Sequence, residues 1–487
     1  MKKNISWEIK KNSKLIILLV VFFLVVSILL ISLSLVIHGN NNENENFFYK
    51  AGQNISTNTN FTGKLYFNDQ PNTNIFTDLI TNRIREAENN IDLVQYSIDN
   101  DLIKKELDEA YENGVDISLI LDVGKLSQHK HLFGTTTTYP IKNIGSGNLI
   151  KGDHMHHKFS IFDFGLEKQK LLFGSFNYTR LQENYDPSFV LETSDPYIIS
   201  AFNNEQNLLE NGIRGYDKLH HDNYKPLIKK INYKNGFVEV WFSPGFKKNS
   251  IKQRILELID SAEKKIDIII WQLTDYDIAE ALAKKASQGV YIRLISDDYY
   301  IWSENSSIPK LADFDENNKN IEIISDLYRT WDPNGIIENN TEYFNPYIHQ
   351  HTLIIDEKTV LSGTNNWSYN GFFKNDESIL VSNVDFWING FINSFNYHYN
   401  SLRNKKSLLN FDGQNIYLQG EDNFQTSTIY IFNENSLKNL KPEPCFKKTI
   451  SINERKILIP KNCQEVHSLF LRLDKNNKII ESSYLFF

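Results

Sequence analysis

Two stretches of this chain repeat one set of reactive side chains: His156-His157-Lys158 with Asp163, and His349-Gln350-His351 with Asp356. A small glycine-led turn follows each, Gly174-Ser175-Phe176-Asn177 in one and Gly363-Thr364-Asn365-Asn366 in the other. His156 and His349 are 193 residues apart, and so are Asp163 and Asp356. A chain carrying the same set twice is built to bring two imidazoles to one site. Facing imidazoles suit phosphodiester chemistry, where one attacks phosphorus while the other protonates the departing oxygen.

Residues two apart on a strand share a face, so His156 points with Lys158 and His349 with His351. A fixed lysine beside the phosphate oxygens offsets charge in a pentacoordinate transition state. Asp163 and Asp356 face the other way and read as partners of backbone or helix termini rather than as bases. Ser175, Asn177, Thr364 and Asn366 sit where side-chain donors complete a phosphate cradle. A carboxylate is expected behind each histidine, accepting Nδ1–H so that Nε2 stays free, and Asp186 and Glu377 are the candidates. His351 stands where the first motif has lysine. Imidazole is shorter and titrates near ~6.5 rather than ~10.4, so a weakened or pH-sensitive centre is expected. His-x-His is also a zinc pair, and His349, His351 and His156 would make three ligands. No other metal-type cluster accompanies them and Lys158 opposes a cation, so no metal and no cofactor is expected.

The elements that must position these residues are themselves duplicated. Ala87-Glu88-Asn89-Asn90-Ile91-Asp92-Leu93 matches Ala262-Glu263-Lys264-Lys265-Ile266-Asp267-Ile268 at an offset of 175. The same offset carries Phe67 onto Phe242, Gly114-Val115 onto Gly289-Val290 and Asp122 onto Asp297. Such a run marks a repeated domain. In each copy a short strand (Lys64–Phe67; Val238–Phe242) leads to a helix with apolar residues at Ile80, Ile84 and Ala87, or Ile255, Ile259 and Ala262. A strand (Ile91–Tyr96; Ile266–Leu273), a helix (Leu102–Asn113; Ile278–Gln288) closed by Gly114 or Gly289, and a strand (Val115–Asp122; Val290–Asp297) follow. The motif strands come next, Met155–Phe162 and Ile348–Ile355. This alternation predicts an α/β fold with largely parallel sheets covered by helices.

HxKxxxxD followed by GSxN, present twice on a duplicated α/β domain, resembles the phospholipase D superfamily, the HKD phosphodiesterases. The resemblance covers about residues 63–405. His156, Lys158, Asp163, Gly174, Ser175 and Asn177 match its motif in full, whereas His351 departs from it. It implies duplicated α/β/α sandwich domains with a shared central active site, and no metal. It also implies a phosphohistidine intermediate, with His156 the nucleophile and His349 the acid and then the base that activates water. The catalytic set carried over is His156, Lys158, Asp163, His349, His351 and Asp356. Residues 63–219 and 237–405 are the two expected domains, joined by a linker at 220–236. Residues 406–487 read as a small β-rich appendage, from short segments at Ile416–Leu418, Ser427–Phe432, Lys456–Ile459 and Ser468–Leu473.

Ahead of these domains, Leu15–Ile37 is a 23-residue apolar run interrupted only by three serines. As a helix it spans roughly 34 Å, enough for a bilayer core. It exceeds the roughly 7–15 apolar residues of a signal peptide and lacks a small-x-small cleavage site, so a retained anchor is expected. Five lysines precede it and residues 39–49 hold no Lys or Arg, which puts the tail (1–14) in the cytosol. The catalytic region then lies outside, periplasmic or extracellular, beyond a polar linker (38–62). That region has 47 basic against 59 acidic residues, a net charge of −12, which disfavours polyanions. A phospholipid at a membrane surface is therefore the expected partner and nucleic acid the lesser one. Both motifs lie in one chain, so a monomer is expected. A nuclease and a weakly active or inactive family member are the rival readings. The sequons Asn177-Tyr178-Thr179 and Asn366-Trp367-Ser368 fall on the phosphate turns, where a glycan would obstruct binding, and this favours a bacterial envelope. Of the tryptophans, Trp271 is read as core; Trp302 and Trp331 lie in a long 298–347 insertion read as a lid or substrate loop. Cys445 and Cys463 are expected to pair.

Overall fold

Apolar spacing switches repeatedly between periods of 2 and 3.6, and the chain folds accordingly. The computed structural model describes residues 55–69, 73–134, 139–144, 153–220, 229–245, 250–297, 305–308, 310–311, 320–325, 348–403, 410–411, 415–417, 426–433, 444–451, 456–463, 467–473 and 479–486. The expected cytosolic tail, anchor and lid tryptophans lie outside them. Among the described residues no helix is long and apolar enough to cross a membrane.

The first repeat runs β1 (Ile55–Ser56), β2 (Lys64–Phe67), α1 (Ile75–Glu86), β3 (Asn90–Gln95), α2 (Asp101–Glu112), β4 (Asp116–Asp122), α3 (Leu126–Phe133), β5 (Ile141–Ile144), β6 (Lys158–Phe162), β7 (Lys170–Gly174), α4 (Arg180–Tyr185), β8 (Phe189–Thr193) and α5 (Pro196–Glu210). The second runs β9 (Lys229–Tyr233), β10 (Gly236–Ser243), α6 (Ile251–Ser261), β11 (Lys265–Ile270), α7 (Tyr276–Ser287), β12 (Tyr291–Ser296), β13 (Ile321–Ser325), β14 (His351–Ile355), β15 (Thr359–Gly363), α8 (Tyr369–Phe373), β16 (Glu377–Ser382) and α9 (Asp385–Arg403). A seven-stranded sheet has the order β2-β8-β7-β6-β3-β4-β5, and a nine-stranded sheet the order β1-β9-β10-β16-β15-β14-β11-β12-β13. From β2 and β10 onward the two orders correspond strand for strand.

The expectation of largely parallel sheets is corrected. Among the described strands, only β3/β4/β5, β11/β12/β13 and β1/β9 pair in parallel. Helical crossovers serve only those strands, because the motif strands return as the hairpins β6–β7 and β14–β15, and a hairpin is antiparallel. The 220–236 stretch expected as a linker contains β9, whose Ile231 and Tyr233 are buried against the core. Strand β1, inside the other expected linker, pairs with β9.

Three buried clusters define layers. Phe76, Ile80 and Ile84 of α1 and Ile103 and Leu107 of α2 cover one face of the first sheet. Ile251, Ile255 and Ile259 of α6 and Ile278 and Leu282 of α7 cover the second sheet in the same way. Between the sheets lies a third cluster, fed by both and by α5 and α9. Phe202 of α5 sits at its heart, 5.0 Å from the rings of Phe159 and Phe173 and 5.3 Å from Phe242 of the other sheet. Burying such shared rings holds the two sheets in one body.

Beyond residue 409 the described strands form two antiparallel sheets. One joins Asn410–Phe411, Asn415–Tyr417 and Lys456–Leu458; the other joins Phe446–Ser451, Thr426–Asn433, His467–Leu473 and Ile479–Phe486. Cys445 and Cys463 are disulfide-bonded, as expected.

Asp163 and Asp356 make the same clasp in both repeats. Asp163 accepts the N–H groups of Glu88 and Asn89 at 2.9 and 2.7 Å, and Asp356 those of Glu263, Lys264 and Lys265 at 2.8–2.9 Å. Each ties the far end of its motif strand to the turn after α1 or α6. Both adopt left-handed backbone, φ 53° and 50°, which aspartate tolerates better than most residues. Asp163→Ala is expected to lower the unfolding free energy by about 2–3 kcal/mol in urea titrations, since charged hydrogen bonds and a left-handed site are lost together. Asp163→Asn should lose less, and an unchanged stability for the alanine variant would rule the clasp out.

Candidate active site

Strands β6 and β14 begin at Lys158 and His351, so His156 and His349 precede them on extended segments rather than on the strands. Each is held there by the opposite repeat. His156 N–H donates to the Asp376 carbonyl at 2.9 Å, while Asp376 N–H donates to the His154 carbonyl at 2.8 Å. Reciprocally, His349 N–H donates to the Pro187 carbonyl at 3.0 Å. The glycine opening each phosphate turn permits the local packing. A Cβ on Gly174 would lie 1.9 Å from the Phe189 carbonyl oxygen, and one on Gly363 would lie 2.2 Å from that of Ser378.

The side chains also cross between repeats. His156 Nδ1 lies 2.8 Å from Glu377 Oε2, both groups being buried. Thr364 Oγ1 donates to the same oxygen at 2.7 Å, and Asn375 Nδ2 donates to Oε1 at 2.9 Å. With its acceptors aimed this way, Glu377 fixes the His156 tautomer that carries its proton on Nδ1, leaving Nε2 as a lone-pair donor. Lys158 Nζ donates to the His156 carbonyl at 2.9 Å. Tyr96 stands edge-on to His156 at 4.8 Å, and Trp271 stacks on His349 at 5.5 Å. His349 and His351 are in edge contact at 5.7 Å. The expectation that Trp271 is core is therefore corrected: it lies just past β11, half-buried, as the 175-offset counterpart of Tyr96. Trp241 and Trp367 are core.

Dehydration dominates the electrostatics. Burial holds His156, His349 and His351 well below the usual histidine range, and the neighbouring cations and imidazoles push the same way. Lys158 acts on all three, and His156 on both His349 and His351. Burial pushes Lys158 down to about 7, against the pull of Glu377 and Asp122. Burial also pushes Glu377 up to about 7, against the pull of Lys158. Burial thus favours the neutral form of His351, which stands where the first motif has lysine.

The remaining expected residues divide. Of the two orienting carboxylates, Glu377 faces a histidine of the opposite repeat. Strand register places Gly174 opposite Val190 and Gly363 opposite Ile379, so the first-repeat counterpart of Glu377 is Ser188 rather than Asp186. Asp186 caps the end of α4. Thr364 anchors Glu377, and Ser175 Oγ accepts the Phe189 N–H at 3.2 Å. Asn177 and Asn366 are buried, and their amide oxygens have no partner among the described residues. Asp163 and Asp356 serve the clasps described above.

Sequence reasoning missed a buried ionic cage behind the site. Lys218, from the short 3-10 helix Gly215–His220, bonds Glu205 of α5, and its Nζ lies 2.6 Å from Asp376 Oδ1. His157 Nε2 lies 3.0 Å from Glu205 Oε1, and its Nδ1 lies 3.1 Å from Ser378 Oγ. Gly215 N–H adds a bond to Asp376 at 2.7 Å. Among the described residues, His157, Glu205 and Asp376 form the group with metal-ligand spacing, and the Lys218 ammonium bonds two of its three members. The adjacency of His157 to His156 was the available signal. Its partners on α5 and on the Gly215–His220 turn had none.

A family model described as cardiolipin synthase, PLD-like domain, matches residues 80–208 and 255–406. The chain is similar to a mitochondrial cardiolipin hydrolase of Chlamydomonas reinhardtii, 24% identical over 128 residues, which is 26% of this chain and 48% of that protein. It thus spans about half the length of that curated relative. Among solved structures, phosphatidylserine synthase of Haemophilus influenzae Rd KW20 has a TM-score of 0.50 at 14% identity, covering 71% of this chain and 88% of that one, and so shares its fold. NucT from Helicobacter pylori is 22% identical with a TM-score of 0.28, covering 34% of this chain and 97% of its own.

Removing the caged ammonium leaves two buried carboxylates uncompensated, which typically costs about 3–5 kcal/mol. Lys218→Met should lower stability by that order in urea unfolding. Adding Glu205→Gln and Asp376→Asn to Lys218→Met should recover a large part of the loss. A triple variant no better than Lys218→Met would show that packing, not charge, sets the requirement.

Proposed function

The chain belongs to the PLD-like domain family, and from that premise we propose that it is a phosphodiesterase working through a phosphohistidine intermediate. His156 Nε2 attacks phosphorus, the bond from phosphorus to the leaving oxygen breaks, and His349 gives that oxygen its proton. His349 then takes a proton from water, whose oxygen displaces His156 from phosphorus. Lys158 holds the developing charge on the equatorial oxygens. The single observation that carries the reading is the buried His156–Glu377 hydrogen bond between repeats. It prepares His156 as a nucleophile.

The preferred substrate is a phosphatidyl group, hydrolysed or transferred at a membrane surface. The acidity of the region after residue 38 and the apolar run at 15–37, read as an anchor, support this choice. The names of the matched family model and of the curated relative make cardiolipin a natural first substrate to assay. On the same reading the chain acts as a monomer, its catalytic region outside the cytosol. A second reading, weak or absent activity, draws on the neutral, buried His351. Full-length protein assayed on cardiolipin, phosphatidylcholine and single-stranded DNA, with His156→Ala as control, separates these readings. Cleavage of DNA alone would replace lipid by nucleic acid, and no turnover of any substrate would favour the inactive reading.

The proposed acid–base roles predict an acidic optimum. Lys158 and His349 must both be protonated for the first displacement, and burial lowers the pKa of each. Their protonated forms are therefore lost earlier than usual as pH rises, and kcat/KM should fall on passing about 7, where Lys158 titrates. A bound phosphodiester anion favours protonation, so the limb in kcat should lie at higher pH. Equal activity from pH 6 to 9 would contradict this assignment. On bis(4-nitrophenyl) phosphate, whose leaving group departs without an acid, His349→Asn should release one equivalent of nitrophenol in a burst and then stall. The steady-state rate should fall about 10²–10⁴-fold. Mass spectrometry after alkaline quench should find the phosphoryl group on His156, and its presence elsewhere would exclude His156 as nucleophile.

A further inference from the structure

We propose that Lys125 contacts the substrate phosphate and supplies the fixed cation that the second motif lacks. The inference rests on the phosphodiesterase reading above and extends it to a residue outside both motifs. Lys125 ends the 3-10 turn Val123–Lys125 that follows β4. One carboxylate sets both that turn and the nucleophile's segment. Asp122 accepts the Gly124 N–H at 2.7 Å through Oδ1 and the Met155 N–H at 2.8 Å through Oδ2. The turn is close-packed there, since a Cβ on Gly124 would lie 2.7 Å from Asp122 Oδ1. The placement of Lys125 is thus coupled to that of His156.

From this turn the lysine reaches inward. Its Nζ is 5.2 Å from the Tyr96 ring centroid, while Lys158 Nζ is 5.4 Å from it and the His156 ring 4.8 Å. Tyr96 is therefore ringed by the nucleophile and two ammonium groups. Lys125 is also among the charges that depress Lys158 and His349, which places its field over the same centre. Among the described residues it makes no ion pair. Lys158, by contrast, is tied back to the His156 carbonyl. A half-buried cation that makes no ion pair among the described residues, beside imidazoles whose charged forms burial disfavours, suits an anion such as phosphate.

The second motif explains why such a cation is required. Two equatorial oxygens gain charge in a phosphodiester displacement, and a single lysine covers one side. His351, held neutral by burial, does not supply the other. At the 175 offset the position equivalent to Lys125 is Tyr300, so the substitution of roles is not symmetric. The first repeat then carries both lysines, and the second the carboxylate and the acid.

The test uses full-length protein in detergent and inorganic phosphate as the probe, titrated by calorimetry at pH 6. Lys125→Gln should weaken phosphate binding at least tenfold, and Lys125→Arg should stay within about threefold of the parent. The same Lys125→Gln variant should lose kcat/KM on bis(4-nitrophenyl) phosphate by a similar factor, with an unchanged thermal midpoint. Phosphate binding unaltered in Lys125→Gln would overturn the inference and leave the lysine as a clamp on Tyr96. Absence of phosphate binding in the parent protein would overturn it too. The two layers fail separately. A parent that binds phosphate through Lys125 yet cleaves no diester sinks the functional reading alone, whereas a parent that cleaves diesters indifferently to Lys125 sinks this one alone.

Discussion

A dry site with an imidazole, an ammonium and a carboxylate in it depends on the hydrogen bonds that offset their burial. Here the partners of each histidine segment belong to the other repeat. Backbone bonds at Asp376 and Pro187 lash the two extended segments to opposite return strands, and Glu377 reaches across to His156. The large central core, with Phe202 touching rings from both sheets, exists in service of that exchange. Neither repeat can bury its own histidine segment properly without its neighbour.

The same dryness shapes the chemistry. Water would restore ordinary proton affinities, loosen the tautomer choice and screen the charge of Lys158. The aromatic walls, Tyr96 beside His156 and Trp271 against His349, do part of the excluding. The ionic cage around Lys218 does another part of the positioning. It grips the side chain of Asp376, and the next residue along is the carboxylate behind His156. At the corresponding place in the second repeat Gln350 stands for His157: it donates to Ser394, which donates to the Asp69 carboxylate, and His398 joins Asp69 at 2.8 Å.

How much of this was legible in the residues follows from how local each signal is. The repeat, its helices and its first strands were written in a 175-residue offset and in apolar spacing, and Gly114 and Gly289 mark the helix ends at φ 90° and 93°. Strand direction was not legible, because periodicity does not record whether a segment returns by hairpin or by crossover. The burial of β9 escaped notice since only Ile231 and Tyr233 face inward from a polar stretch. In the site, the motif residues and Glu377 were readable from spacing and chemistry. The correspondence of Ser188 with Glu377 was not readable, because a sequence does not print strand register. Lys218 and Lys125 depend on contacts between distant segments and left no local trace.

That register makes the two halves unequal. A pair of identical first repeats would carry the lysine-bearing motif twice, with Ser188 at the place of Glu377, and a pair of identical second repeats would carry Glu377 twice and Lys158 not at all. Each half is therefore obligate to the other for the set of side chains gathered around His156.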